Sequence, residues 1–177
     1  MTDQQATTSA APDARPRVVV AGGTGFIGRR LCAVLGGAGY DVIVLTRRVN
    51  RAPIGPIRFV TWDPSGSDDA WTEQLEGATA VINLCGESIG GPRWSDARKA
   101  ALIASRVEPT RALVRAVNDS ATPAKVFVQS SGVGYYGTGN EPVDENGANG
   151  TDFLAELARQ WEAPIADLRP EVRPITV

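Results

Sequence analysis

The sequence predicts an α/β protein in which helices cover both faces of a parallel sheet of about six strands, a three-layer αβα arrangement. Short runs rich in Val and Ile alternate with longer stretches of helical periodicity from residue 17 onward. A glycine-rich segment separates the first run from the first helical stretch. With 177 residues, 42% of them hydrophobic, the chain is long enough to bury one core. We expect a disordered, polar, Ala-rich tail at residues 1–16 and one folded unit at residues 17–177.

The first half of the chain alternates strands and helices in the order that a parallel sheet requires. The first predicted strand is RVVVA, and the helical stretch FIGRRLCAVLGGAG follows its glycine segment. YDVIVLT and IRFVTW are the next two predicted strands, and TAVINLC is the fourth. Because consecutive strands are joined by long connections rather than tight hairpins, the sheet is predicted to be parallel.

The second half continues the same pattern and carries two prolines at helical positions. A long helix is predicted from Ser95 to about Asn118, and the apolar run in KVFVQSS predicts a central strand covered on both faces. TDFLAELARQWE is the last predicted helix, with Asp152 near its N-cap. Pro109 and Pro164 are expected to kink or end their helices. EVRPITV is predicted as a sixth strand, and a sheet that stops there looks like a fragment of a larger protein.

Composition argues against several classes of function. A net charge of −2 gives no basic surface for nucleic acid. Cys32 and Cys85 lack metal-ligand spacing and histidine is absent, so neither a metal site nor a disulfide framework is expected. No apolar run reaches a membrane span of about 18 residues, and the N-terminus does not resemble a signal peptide. We expect a cytoplasmic protein with a small-molecule substrate, and a homo-oligomer is compatible with the sequence.

The segment AGGTGFIGRR carries a glycine pattern in the place where a dinucleotide would be bound. It follows a predicted strand and opens a predicted helix, with glycines at Gly22, Gly25 and Gly28 and an additional one at Gly23. Such glycines allow a tight turn and close approach of a pyrophosphate to the helix N-terminus. The alternative is an ordinary glycine-rich turn. The pattern favours a Rossmann fold whose cofactor contacts Gly22, Gly23, Thr24, Gly25, Phe26, Ile27 and Gly28.

The end of the second strand indicates which dinucleotide is preferred. It reads Thr46, Arg47, Arg48, where an acidic residue would bind the ribose 2′-hydroxyl of NAD. Two guanidinium groups would instead pair with a 2′-phosphate, so NADP(H) is predicted over NAD(H). The alternative is a pair of solvated arginines. Asp63, after the third strand, is predicted either to accept a hydrogen bond from the adenine amine or simply to start a turn.

Four segments together give the chain a family resemblance. With GGTGFIG, NLCGESIGGPRW, SSGVGYYG and DFLAELARQWE in this order, it resembles the extended short-chain dehydrogenase/reductase superfamily. More narrowly, it is similar to the branch called epimerase family proteins, whose members are also labelled nucleoside-diphosphate-sugar epimerases or cell-division-inhibitor homologues. The resemblance covers residues 17–177 and implies an NADP(H)-binding Rossmann domain, which in longer members precedes a substrate-binding part.

The resemblance also implies roles for the loop after the fourth strand. Leu84, Cys85 and Gly86 would line the cofactor, with Glu87 near a ribose and Arg93 near the phosphates. This loop follows the carboxyl end of a strand, where ligands of open α/β sheets bind. For Glu87 and Arg93 the alternative is a solvated loop, with Arg93 stacked on Trp94.

The segment FVQSSGVGYYG, residues 127–137, raises the question of catalysis. By resemblance, Ser131 would hold the substrate oxygen, and a Tyr-x-x-x-Lys pair on the next helix would transfer the proton. The corresponding positions fall near Leu154 and Ala158, which are apolar, so the pair is absent. Tyr135 or Tyr136 could replace the tyrosine, although neither has a lysine nearby in sequence. Alternatively, Ser130 and Ser131 only stabilise a turn.

These observations leave three functions open. The first is an NADP(H)-binding domain of an epimerase-family oxidoreductase or isomerase acting on an unidentified small molecule. The second is a regulatory protein that binds the nucleotide without catalysis, and the third is a non-functional truncated copy. The sequence favours the first.

Overall fold

The computed structural model describes residues 15–49, 52–65, 70–91 and 93–177. The predicted disordered tail lies outside the described residues except for its last two positions. In chain order, the helices and strands are β1 (Arg17–Ala21), α1 (Phe26–Gly37), β2 (Asp41–Thr46), β3 (Ile57–Thr61), β4 (Ala80–Asn83), α2 (Asp96–Asp119), β5 (Val126–Gln129), α3 (Phe153–Glu162) and β6 (Arg173–Thr176). Short 3-10 turns lie at Ala70–Leu75, Val133–Tyr136 and Ala163–Asp167.

The strands form one sheet of six parallel strands in the order β3-β2-β1-β4-β5-β6. The predicted parallel α/β fold is therefore confirmed. The chain leaves β1 toward β2 on one side and returns through β4 on the other, so the strand order reverses between β1 and β4. In sheets of this type a crevice opens at that point, outside the carboxyl ends of the strands.

The core lies on both faces of the sheet because alternate strand residues point in opposite directions. On one face, Val19, Ile43 and Phe127 pack against α2 through residues such as Leu113 and Val117. On the other face, Val18, Val20, Val42 and Val44 pack against Cys32 of α1. Helix α3 packs against α2, with Leu157 and Trp161 contacting Leu102.

Strand β5 differs from its prediction as a strand covered on both faces. Phe127 and Gln129 are fully buried toward α2, whereas Val126 and Val128 on the opposite face are only half-buried. On that face Val128 lies only at the margin of the apolar cluster that contains Cys32, Leu31 and Leu35 of α1. The prediction that both faces of β5 are fully covered is therefore wrong for the face that carries Val126 and Val128.

The two prolines act differently. Helix α3 ends at Glu162, and Pro164 lies at the start of the following 3-10 turn, as predicted for a helix end. Pro109 does not end its helix, because α2 continues to Asp119 with Pro109 buried inside it. Proline lacks an N–H and cannot donate to the carbonyl of Ser105. Packing of the buried face of α2 against the sheet outweighs the loss of that hydrogen bond.

Candidate functional site

A cleft of about 1220 Å³ opens along the carboxyl ends of β1, β2, β3 and β4. Its walls come from the turn after β1, the ends of β2 and β3, the loop after β4 and the middle of α2. The predicted site residues that line it are Gly22, Thr24, Gly25, Thr46, Arg47, Arg48, Asp63, Leu84, Cys85, Gly86 and Glu87. A smaller cavity of about 290 Å³ lies between α2 and the turn at Ala70–Leu75, away from these residues.

Two glycines shape the turn after β1 on the side of the cleft. Gly22 has φ +79°, and a Cβ there would lie 2.7 Å from the carbonyl oxygen of Leu84, so the turn and the loop after β4 are in direct contact. Gly25 is the N-cap of α1, where no side chain caps the helix and the first turn holds no acidic residue. The first N–H groups of α1 therefore have no side-chain acceptor, which suits an anion at this end.

Other members of the predicted glycine segment hold the fold together or face solvent. A Cβ on Gly28 would lie 2.4 Å from the carbonyl oxygen of Gly22, and one on Gly23 would lie 2.9 Å from Val44 Cγ1. These two glycines let α1 pack closely on the sheet. Phe26 is 90% exposed and Ile27 is 67% exposed in the first turn of α1, and neither lines the cleft.

The arginines and Asp63 lie at the ends of neighbouring strands. Arg47 and Arg48 are exposed, and neither forms an ion pair with a carboxylate among the described residues. Asp63 Oδ1 accepts hydrogen bonds from Ser65 N at 2.9 Å and Ser65 Oγ at 2.8 Å. A turn started by Asp63 is one of its two predicted roles, and the same residue also lines the cleft.

A buried amide network fixes the loop after β4. Asn83 donates from Nδ2 to Thr110 Oγ1 at 2.9 Å and to Gln129 Oε1 at 3.0 Å, and its Oδ1 accepts from Cys85 N at 3.1 Å. All three side chains are fully buried. Because each buried polar group has a partner, the network stabilises the carboxyl ends of β4 and β5 in one arrangement. It holds Cys85 in the wall of the cleft.

Burial keeps the two thiols near the cleft protonated, which is the unreactive form. Desolvation raises the pKa of Cys85 to about 12, and the charge of Arg47 lowers it by less. Burial likewise raises the pKa of Cys32 to about 11. Since the thiolate is the nucleophile, neither cysteine is reactive near neutral pH.

Glu87 and Arg93, predicted to contact the cofactor, are placed differently. Glu87 lines the cleft and forms an ion pair with Arg98, whose Nη2 also donates to the carbonyl of Ser88 at 2.6 Å. Arg93 is exposed and does not line the cleft. The alternative contact of Arg93 with Trp94 is not observed, because Trp94 packs edge-on against Phe153 with ring centroids 5.4 Å apart.

Ser131 follows β5 and has a partner that sequence reasoning missed. Its Oγ donates a hydrogen bond to Glu162 Oε1, at the end of α3, and its backbone N–H donates to the carbonyl of Val177 at 2.6 Å. Leu154 is half-buried and Ala158 is buried, so these two positions of α3 present only apolar groups. Residues 131 and 162 are far apart in sequence, and no spacing rule links them. Ser131 is not among the residues that line the cleft.

Tyr135 and Tyr136 lie in the 3-10 turn after Ser131. Their rings form an edge-to-face pair with centroids 5.3 Å apart, and both are half-buried. The carbonyl of Tyr135 accepts from Gly150 N at 2.8 Å and Asn149 Nδ2 at 2.7 Å. Gly147 packs on the ring of Tyr136. These contacts connect the turn to the segment before α3, and neither tyrosine lines the cleft.

Helix α2 contributes cleft residues that the sequence did not indicate. They are Ala104, Ser105, Glu108 and Pro109, in the middle of the helix. The only signal in the sequence is the proline inside a helical pattern, which predicts a kink or an end of the helix and not a cleft wall. No cluster of potential metal ligands occurs in the part of the chain that the structure describes. Among the same residues, no helix combines the length and apolar character needed to cross a membrane.

The known proteins that resemble this chain include several epimerase family proteins. The epimerase family protein SDR39U1 homolog of Arabidopsis thaliana is 37% identical over 169 residues, 93% of this chain and 48% of that protein. Epimerase family protein ML0860 of Mycobacterium leprae is 42% identical over 147 residues, 82% of this chain and 45% of that protein. The crystal structure of human SDR39U1 (isoform 2) with NADPH has a TM-score of 0.75 and 31% identity, and the match covers 90% of this chain and 52% of that one.

The chain spans about half the length of the curated relatives it matches. A model of the NAD dependent epimerase/dehydratase family matches residues 18–155, which contain the glycine turn, the loop after β4 and Ser131. The family match agrees with two features of the structure. These are the parallel sheet and the glycine turn at the point where the strand order reverses. The chain therefore belongs to the NAD dependent epimerase/dehydratase family and provides its Rossmann domain.

Proposed function

We propose that the cleft binds NADP(H) and that the chain is the cofactor-binding part of an oxidoreductase or isomerase acting on a small molecule. The observation that carries the proposal is the lining of one cleft by both the Gly22–Gly25 turn and the Arg47–Arg48 pair. The turn suits a pyrophosphate at the N-terminus of α1, and the arginines suit a 2′-phosphate. The human relative SDR39U1, whose crystal structure contains NADPH, supports the same assignment.

Charge complementarity favours NADP(H) over NAD(H). Arg47 and Arg48 directly follow β2, where dinucleotide-binding folds place the group that reads the adenosine ribose. Neither side chain is engaged by a described carboxylate, so both guanidinium groups are free to pair with a phosphate. Leu84, Cys85, Gly86 and Glu87 form the opposite wall of the cleft. A bound dinucleotide would thus extend from the end of β2, across the glycine turn, toward the end of β4.

We expect the double variant Arg47→Ala and Arg48→Ala to lose its preference for NADPH over NADH. The wild-type protein should bind NADPH about ten- to a hundredfold more tightly, because one charge-assisted pair with the 2′-phosphate contributes that much. Calorimetric titration with each dinucleotide measures the ratio. The matched control is Lys125→Ala with Arg173→Ala, which removes two exposed charges at the amino ends of β5 and β6, whereas the cleft lies at the carboxyl ends of the strands. Equal affinities of the wild-type protein for the two cofactors would contradict the assignment.

A second candidate function is nucleotide binding without turnover. It is favoured by Leu154 and Ala158, which leave α3 without a tyrosine and lysine for proton transfer. Oxidation of NADPH with a panel of quinones, aldehydes and sugar nucleotides separates the two functions. We expect at most a trace rate for this chain, because positioned acid–base groups typically contribute 10²–10⁴-fold. A robust rate that collapses in Ser131→Ala would instead identify Ser131 as part of a working site.

A further inference from the structure

A buried guanidinium lies behind the wall of the cleft, in the part formed by the loop after β4. Arg106 of α2 is only 8% exposed, and its Nη1 donates to the carbonyl of Leu102 at 3.1 Å. Its Nη2 donates to the carbonyl of Glu87 at 3.0 Å, and its Cζ lies 5.0 Å from the ring centroid of Trp161. Its Nε is buried and has no hydrogen-bond partner.

The positive charge of Arg106 is not neutralised by a partner of its own. It forms no ion pair with a carboxylate of the described residues, and the carboxylate that acts on it most, Glu87, is already paired with Arg98. Desolvation lowers the pKa of Arg106, Glu87 opposes that change, and Arg98 adds to it. Two guanidinium groups thus share one carboxylate. A buried charge in excess costs free energy, and such arrangements occur often at functional sites.

Gly86 is the part of the cleft wall that separates this charge from the cleft. A Cβ on residue 86 would lie 3.1 Å from Arg106 Cζ, 3.2 Å from Nη2 and 3.3 Å from Nε, so the residue stands over the flat face of the guanidinium. Gly86 is exposed in the cleft. With no side chain at this position, the charge acts on the cleft through a single layer of backbone.

The location of Arg106 separates it from the groups assigned to the cofactor phosphates. The glycine turn and the arginine pair follow β1 and β2, whereas Gly86 follows β4, on the other side of the strand reversal. Arg106 contacts Trp161, and the next residue, Glu162, accepts the hydrogen bond from Ser131 at the end of β5. The uncompensated charge therefore lies toward the half of the site where a substrate would meet the nicotinamide end of the dinucleotide.

We propose that Arg106, acting across Gly86, forms a second anion-binding element of the cleft and selects substrates that carry a carboxylate or a phosphate. The inference rests on the proposed function, because it takes the cofactor phosphates to lie at the glycine turn and the arginine pair, so that the nicotinamide end points toward the loop after β4. An anionic group of a substrate that lies beside Gly86, next to the nicotinamide end of the cofactor, would offset the excess charge that Arg106 and Arg98 leave. A neutral substrate of the same shape would not offset this charge, so the site should select anionic substrates over neutral ones.

The test uses small probe anions on the full chain saturated with NADPH. Oxalate and inorganic phosphate are titrated calorimetrically, with oxamide as the uncharged control. We expect at least one anion to bind the wild-type protein and oxamide not to bind. Arg106→Gln should weaken the anion at least about tenfold while changing NADPH affinity less than about threefold. Arg173→Gln, the same change at an exposed position at the amino end of β6, should change neither affinity.

Several outcomes would overturn the proposal. One is a wild-type protein that binds NADPH but neither anion, and another is anion binding that persists unchanged in Arg106→Gln. If Arg106→Gln lowers the affinities for NADPH and for the anion equally, Arg106 stabilises the loop after β4 or binds the cofactor phosphates, and it is not a separate anion-binding element. Arg106→Lys keeps the positive charge, and its affinity for the anion should stay within about threefold of the wild-type value. This variant still tests the proposal if Arg106→Gln fails to fold, because a larger loss of anion affinity in Arg106→Lys would contradict it. If the wild-type protein binds no NADPH, the proposed function fails, and titration of the free protein with the same probes still decides the role of Arg106.

Discussion

Gly25→Val is expected to abolish measurable NADPH binding while leaving the fold intact. The backbone at Gly25 has φ −72° and ψ −179°, which valine adopts readily, and a Cβ would meet only the carbonyl oxygen of Gly22 at 3.2 Å. The added side chain would point into the cleft, where it occupies the space that a pyrophosphate needs. We expect an affinity loss of at least about a hundredfold, measured by calorimetry, with an unchanged circular dichroism spectrum.

The control for this variant is Gly37→Val at the other end of α1. A Cβ on Gly37 would have no atom within 4 Å, so the substitution adds the same side chain in open space. Its NADPH affinity should equal that of the wild-type protein. If Gly25→Val kept wild-type affinity, the glycine segment would be only a turn between β1 and α1, which was the alternative interpretation of the sequence.

Gly28→Ala is expected to destabilise the protein strongly. A Cβ there would lie 2.4 Å from the carbonyl oxygen of Gly22, 2.6 Å from Cα of Gly23 and 2.8 Å from the carbonyl carbon of Gly23. All three atoms belong to the backbone, so no side chain can rotate away. Overpacking of this kind costs about 1–3 kcal/mol and sometimes more, and we expect about 3 kcal/mol of unfolding free energy.

Thermal unfolding measures this loss as a decrease in Tm of roughly 6–12 °C for a protein of this size. Gly37→Ala is the matched control and should leave Tm within a few degrees of the wild-type value, because its Cβ meets no neighbour. A Gly28→Ala protein as stable as the wild-type protein would show that α1 can move away from the sheet at little cost, contrary to the close packing described above.

The strands and the glycine turn could be predicted because their signals are local. β1 was predicted at RVVVA and is found at Arg17–Ala21, and the glycine pattern lies between β1 and α1 as its spacing required. Asp152 was predicted near a helix start and is the N-cap of α3, accepting from Ala155 N at 3.0 Å. Periodicity, capping residues and glycine spacing each act within a few residues, so one sequence is sufficient to detect them.

The contacts that assemble the site could not be predicted, since they join residues distant in sequence. The network of Asn83, Thr110 and Gln129 connects two strands and a helix, and the partner of Ser131 is a glutamate 31 residues away. Likewise, the buried position of Arg106 follows from the packing of α2 against α3. In the sequence it was one arginine among many, in a helix whose apolar pattern does not distinguish a buried charge from an exposed one.

The most direct test of the central claim, that this cleft is an NADP(H) site, is a crystal structure of the protein with NADPH. The cofactor pyrophosphate is predicted at the Gly22–Gly25 turn and the 2′-phosphate beside Arg47 and Arg48, with the nicotinamide end directed toward the loop after β4. A 2′-phosphate pointing into solvent away from both arginines, or NADPH bound elsewhere on the protein, would contradict the account.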